Sequence, residues 1–441
     1  MGAGKSLIKI FKAVKLNMQK QSKQGKLKGI SLRKFPYPYK AALAISSDVD
    51  DLVFEDLLEI HRFLNTRQQT TMGPGLGLEI GDTFWMYSTD LENLDPVSYF
   101  KGTTTDVSDY VEVMRKLIRA GYIDCLHTYG DFNRYGGFIR EMAAQSISEL
   151  KKQGLKIDVW INHGDRHNLQ NIGWVGYLGD LPYATSVFGA RTRVLEYHCD
   201  ITTAYGIRFV WKGDLTTLVG QDCPYNFRQN VVLICKQLIK KWLLKRSDIH
   251  NNDLIQIMEL RDGSKVNIFK RFGSWSEETS DDLPGLISGI NLNILKRKNG
   301  YMIVYTHLGK TRMKKPPLLS IETQEALKTL AEEYYNGEIY ITTTSKLLNY
   351  NIVHKSLCWH SAVENGLMSI IIYKVADTVR GDYIPTPEQL RGITFYTPHA
   401  EKTRVFINSA EIADIERNTR DYTGKESVSI PLDHMQYPLS E

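Results

Sequence analysis

Four short apolar runs, far apart in this chain, each end in carboxylates or imidazoles. Asp48 and Asp50 follow AALAISS, His127 and Asp131 follow YIDCL, His163 and His167 follow KIDVWIN, and His307 follows YMIVYT. Carboxylate oxygens and imidazole nitrogens ligate divalent cations such as Zn2+, and the same groups carry protons in hydrolysis. Each group is a weak signal when taken singly. Acidic turns are common on surfaces, and a histidine at a strand end is ordinarily a satisfied polar residue. HGDRH reads either as a helical turn gripping one cation through His163 and His167 or as a polar loop. The coincidence of four such run ends carries the weight.

That coincidence matters only if the runs are strands whose ends share one mouth. Further apolar runs lie at 207–211 (IRFVW), 266–272 (VNIFKRF) and 338–344 (EIYITTT). Helical patterns fall between several of them. Tyr110, Val113, Leu117 and Ile118 precede the run at 122, and Ile139, Met142, Ile147 and Leu150 precede the run at 156. Gly154 is suited to cap the second helix. Alternating strands and helices of this length predict repeated βαβ units and a mainly parallel sheet. The expected fold is a distorted (β/α) barrel of about seven parallel strands, because barrel strands bring their C-terminal ends together. From about residue 355 the texture changes to short alternating runs (SIIIYKV, GITFYT, TRVFINS, VSIPLD) with turn signals between them, which predicts a small all-β sandwich. The expected domains are a basic arm over 1–35, the barrel over 36–354 and the sandwich over 355–441.

Charge separates the arm from the body. No Asp or Glu precedes Asp48, while the first 47 residues carry ten Lys and one Arg. The net charge of +5, less these eleven cations, leaves −6 on the remainder, so overall basicity gives no case for a nucleic-acid partner. On a helix, Leu7, Ile10, Phe11, Val14 and Met18 share one face and lysines the other. Such an arm either packs on the body, stays solvated, or makes peripheral contact with an anionic membrane surface. Its lysines interrupt any continuous apolar core, so it does not read as a secretory signal. GAGKS near the start imitates a phosphate loop, but no strand precedes it. Five scattered cysteines with no CxxC pair argue against a disulfide framework or a cysteine-ligated zinc. A cytoplasmic protein, with the arm at the inner membrane face as an alternative, is the expectation.

Two further groups of residues are candidates for substrate contact. The glycine-rich stretch 70–100 holds Trp85 and Tyr87, whose rings suit a sugar face or tuck under their own loop. Arg208 and Arg271 lie on later strands and are candidates for holding Asp48 or the substrate, or for ordinary ion pairs.

With these residues in place, the chain resembles the NodB-homology polysaccharide deacetylases of the fourth carbohydrate-esterase family, over about residues 36–350. SSDVD (46–50) resembles the family's opening motif. The likeness implies Asp48 as general base and Asp50 as metal ligand. RAGYIDCLHTYGDF (119–132) resembles the family's His-Ser/Thr-x-x-His motif, with His127 and Thr128 matching and Asp131 in place of the second histidine. The third ligand is then Asp131 itself or His163 from the neighbouring strand. WINHGDRHN departs from the family's Arg-x-Pro motif, which marks a divergent branch. His307 in IVYTHLG matches the family's general acid, and EALKTLAEEYYNGEIYITTTSKLLNY resembles its closing helix and strand. The resemblance implies a zinc-dependent N-deacetylase acting on an amino sugar in a surface polysaccharide or its precursor. The alternatives are an amidase of the same superfamily acting on a non-sugar amide, or a metal-free glycan-binding protein on the same barrel.

Overall fold

The computed structural model describes residues 29–89, 97–132, 137–164, 168–173, 184–185, 191–192, 196–223, 252–260, 262–312 and 318–439. The arm's amphipathic stretch and His167 lie outside them. The chain forms two compact units. The larger comprises Pro38–Ile352, Thr378–Arg380 and His434–Glu441; the smaller comprises Met1–Tyr37, Val353–Asp377 and Gly381–Asp433.

The larger unit is built on an 11-stranded, mostly parallel sheet. Its strands are β1 (Ala41–Ser47), β2 (Gly81–Phe84), β3 (Ile123–His127), β4 (Val159–Ile161), β5 (Phe209–Trp211), β6 (Leu215–Thr216), β7 (Ile255–Glu259), β8 (Lys265–Phe269), β9 (Arg271–Phe272), β10 (Tyr301–Thr306) and β11 (Ile339–Ile341). The order is β6-β9-β10-β1-β2-β3-β4-β5-β8-β7, with β11 also pairing β1. Among the described strands only the β7–β8 pair is antiparallel. All seven residues of β1 and all six of β10 are buried. Strands covered on both faces have no polar side to show, which is why they read as unbroken apolar runs rather than alternating ones. The sheet is curled, and the observed architecture is a half-barrel accompanied by helices.

Helices fill the crossovers. They include α1 (Phe54–Asn65), α2 (Val111–Ala120), α3 (Arg140–Lys152), α4 (Cys199–Tyr205), α5 (Gly289–Lys298), α6 (Ile321–Tyr335) and α7 (Thr344–Ser356). α2 shows how sequence ends them: Gly121 follows it at φ 82°, and its N–H reaches back to the Leu117 and Ile118 carbonyls. That left-handed cap turns the chain straight into β3. Among the described residues no helix is long and apolar enough to cross a membrane.

The smaller unit holds two four-stranded sheets. One orders Ser31–Arg33, Thr394–Tyr396, Ser427–Ser429 and Glu416–Asn418, all antiparallel. The other orders Leu357–Glu364, Leu367–Val375, Thr403–Ile407 and Ala410–Glu411, with its central pair parallel. The edge of Trp359 meets Phe395 at 4.9 Å and joins the two sheets. Ser31–Arg33, expected in the arm, is therefore a strand here. Arg33, itself buried, pairs Asp421 at 2.9 Å and donates to the Phe35 and Pro36 carbonyls.

Candidate metal centre

The C-terminal ends of β1, β3, β4 and β10 meet on one side of the sheet. Asp48 continues β1, and its backbone N–H bonds the Thr306 carbonyl of β10 at 2.9 Å. The Thr83 hydroxyl of β2 takes the Val49 N–H at 2.9 Å, and Ser47 takes the Leu308 N–H at 3.1 Å. These bonds fix the loop that presents Asp50. Asp51 (φ 59°) and Thr128 (φ 52°) both sit in the left-handed region, each one residue past a group of the site. Such strain persists only where the surroundings impose it. Thr128 is held by its N–H on the Ile161 carbonyl and its hydroxyl on the Gly130 carbonyl.

Three potential ligand atoms converge. Asp50 Oδ1 is 3.5 Å from His127 Nε2 and 3.6 Å from His163 Nδ1, and the two nitrogens are 3.3 Å apart. A point equidistant from all three lies about 2.0 Å from each, a usual bond length from Zn2+ to nitrogen or carboxylate oxygen. Tetrahedral ligands at such distances stand about 3.4 Å apart. The described residues Asp50, His127 and His163 could therefore hold a metal ion. Burial and the nearby His127 push His163 down, toward the neutral imidazole a cation requires. Asp50 is held well below the ordinary carboxylate range: burial would raise it, but His127, His307 and His163 together outweigh that.

Asp48 and His307 flank this triad. Asp48 is buried, and Arg271 clamps it with two parallel bonds of 2.7 and 2.8 Å. Burial would raise the Asp48 carboxyl, but Arg271 and His127 outweigh it, so Asp48 stays ionised. His307 Nδ1 bonds the Glu278 carbonyl at 2.9 Å, and its Nε2 bonds Asp50 Oδ2 at 3.0 Å. Both partners are acceptors, so both nitrogens donate and the ring is an imidazolium. Burial opposes that charge, but the Asp50 bond and the Asp48 charge prevail and raise the pKa of His307. Together these groups line a cavity of about 550 Å³, whose other walls include Asn162, Trp211, Lys212, Trp275, Glu278, Tyr305 and Lys310.

Several candidates take other places. Asp131 stands outside the triad: its oxygens accept from the Thr89 N–H at 2.6 Å and the Ser88 hydroxyl at 3.2 Å, so it ties down the loop after β2. Trp85 packs behind two of the triad's rings. It is buried, with its ring 4.2 Å from the His127 ring and 4.8 Å from that of His163. Tyr87 is wholly buried and donates to the Met142 carbonyl at 3.1 Å. Arg208 precedes β5, at the opposite end of the strands from the triad, and binds Asp158 at 2.8 Å and Asn349 at 2.7 Å. Arg271 holds Asp48 rather than facing open solvent.

Sequence reasoning missed what positions His163. The Asn171 side chain accepts the His163 N–H at 3.1 Å and donates to its carbonyl at 3.0 Å, imitating a strand partner. Asn162 grips Ile172 in the same two-bonded way, and Asn168 donates to the Phe132 and His163 carbonyls. Gln170 accepts from the N–H groups of Tyr129 and Gly130. All four amides are buried. Their density in NHGDRHNLQN was the available signal, since amides buried in a loop must satisfy the backbone there. Trp275, 59% exposed at the cavity, was also missed.

Fold and site together define an α/β protein with a candidate metal centre at the strand ends of its curled sheet. No protein-family model and no curated protein matches the chain.

Proposed function

We propose that this protein is a zinc-dependent hydrolase that removes an N-acyl group, acetyl in the first instance, from an amino sugar. The observation that carries the reading is the joint placement of four functions in one cavity: an ionised carboxylate clamped by Arg271, a ligand triad, an imidazolium and an open wall. The sugar, the acyl group and the kinship to NodB-type deacetylases follow from the sequence resemblance. As part of the same reading, the sheet works as a distorted barrel of about seven strands. Its support is that β8 pairs β5 while β9, one residue further on, pairs β10.

Amide hydrolysis needs a deprotonated water, a polarised carbonyl and a proton for the departing amine. Asp50, His127 and His163 would hold the cation, which supplies polarisation of the acyl carbonyl and acidifies the attacking water. Asp48 accepts the water's proton. Arg271 keeps its carboxylate ionised and fixed in orientation, so the lone pairs left over by the clamp face the cavity. His307 delivers its Nε2 proton to the amine as the C–N bond breaks. The Glu278 carbonyl on Nδ1 holds the ring in place throughout.

Elemental analysis tests the centre. About one metal per full-length chain is expected in wild type and in Asp131→Ala, with affinity falling at least about tenfold in His163→Ala. No metal in wild type after reconstitution with Zn2+ would remove the triad's function. Asp48→Asn should abolish release of acetate from an N-acetylated amino sugar while retaining metal. Unchanged turnover in that variant would end the assigned chemistry.

A further inference from the structure

We propose that Trp275 and the Glu278–Lys310 pair form the subsite that receives the sugar ring of the leaving amine, and that this ring is uncharged. The inference rests on the hydrolase reading above and names the substrate class of the same cavity.

His307 sets the direction. A general acid must stand on the leaving-group side of the bond it helps to break. The His307 ring is 5.3 Å from that of Tyr305, which in turn is 5.8 Å from that of Trp275. Trp275 therefore stands on the acid's flank, where the amine and its carbon skeleton depart. Trp85 packs instead on the ligand histidines His127 and His163.

The aromatic residues on the acid's flank divide into two kinds. Trp211 and Tyr305 are buried and enclose the Arg271 guanidinium, at 3.4 and 4.4 Å from its carbon to the ring centroids. They serve the clamp on Asp48. Trp275 touches both, at 5.8 Å from each, yet remains 59% exposed. A flat apolar face left to water at a cavity wall is stabilised by being covered, and the C–H face of a pyranose matches it in size.

Polar groups beside the indole fit a polyol. Glu278 and Lys310 bond each other and keep about a third of each side chain exposed. Together they offer an acceptor and a donor, and neighbouring hydroxyls each do both. The pairing of the lysines beside the indole disfavours an anionic ring there. Lys310 is neutralised by Glu278, and Lys212, the other lysine of the wall, pairs with Asp214 at 3.3 Å. Beside the indole, a carboxylate or phosphate on the ring would therefore meet Glu278 with both lysines of the wall already paired.

Calorimetry on the full-length Asp48→Asn protein, loaded with Zn2+ and titrated with tri-N-acetylchitotriose, reads the subsite directly. Trp275→Ala in that background should weaken binding at least about tenfold, and Trp275→Phe should keep it within about threefold. N-acetylmuramic acid, with its carboxylate, should bind less tightly than N-acetylglucosamine. Equal affinity in the Trp275→Ala protein overturns the proposal, as does tighter binding of the acidic sugar. A parallel assay with Asp48 intact separates this from the parent reading. Hydrolysis of the trisaccharide with a KM unmoved by Trp275→Ala removes the subsite and leaves the hydrolase. Neither binding nor hydrolysis of it removes both.

Discussion

Arg271 is the residue on which the site's electrostatics turn. Its side chain is fully buried, its fork is spent on Asp48, and its faces are covered by Trp211 and Tyr305. A buried pair of this kind is worth little against an apolar replacement of both partners, but removing one partner leaves an uncompensated buried charge. Arg271→Met should therefore destabilise the fold by about 3–5 kcal/mol. Adding Asp48→Asn should return part of that loss, a coupling of about 1–3 kcal/mol read from denaturant midpoints of the four proteins. Strict additivity would show that the clamp is not what holds this corner. At this scale the sequence was most informative where a polar residue interrupts an apolar run, as at Asp48, Asp50, His127 and His307. It could not choose between Asp131 and His163, because that choice depends on where Ser88 and Thr89 fall in space. The burial of Trp85 and Tyr87 was not legible for a related reason: residue type does not say which side of a ring is covered.

At the scale of elements, the strands were legible wherever burial on both faces made the run continuous, as in β1, β3 and β10. Less legible was β2, whose GDTF lies in a glycine-rich stretch and whose identity depends on pairing with β1 and β3. The short edge strands β6 and β7 carry too few buried residues to announce themselves. The N-terminal ends of the strands have their own polar network. Asp124 at the start of β3 is buried and accepts the Ser345 N–H in the first turn of α7 at 2.7 Å, and Ser345 in turn donates to Asp158. Burial, aided by the Asp158 charge, pushes Asp124 up to about 7. The folded state thus holds a proton that the unfolded chain releases near pH 4, so this group's contribution to stability declines as pH rises from about 4 to about 7 and is level above. Asn at this position cannot ionise. Relative to wild type, the Asp124→Asn protein should gain thermal stability across that window and gain no more beyond it. A difference in melting temperature that is constant from pH 4 to pH 8 would mean Asp124 is ionised throughout.

At the scale of the whole molecule, the change of sequence texture marks one boundary between the units but does not account for the two ends of the chain. The shift near His354 was legible because alternating short runs replace helical spacing, and the units do part at Val353. The two ends of the chain were not legible. Ser31–Arg33 belongs to a sheet of the smaller unit, and His434–Glu441 returns to the larger one. Neither SLR nor HMQYPL carries a periodicity that could say so. The returning segment has a definite task at the N-terminal ends of the strands. The Met435 N–H bonds the buried carboxylate of Glu79 at 2.8 Å, its carbonyl accepts from Tyr122 at 3.1 Å, and the Tyr437 ring meets Tyr122 edge to face at 5.3 Å. Glu79 also takes bonds from Thr342 and Lys346, so one buried carboxylate ties β11 and α7 to the segment. Deleting 434–441 withdraws one donor from Glu79 and the cover from Tyr122, and a buried acceptor left short of partners costs about 1–3 kcal/mol. The triad sits at the other ends of these strands, out of reach of that loss. The truncated protein should therefore unfold at lower denaturant while binding metal with the stoichiometry of the full chain. Loss of metal in a truncated protein that remains folded would instead show that the two ends of the sheet are energetically coupled.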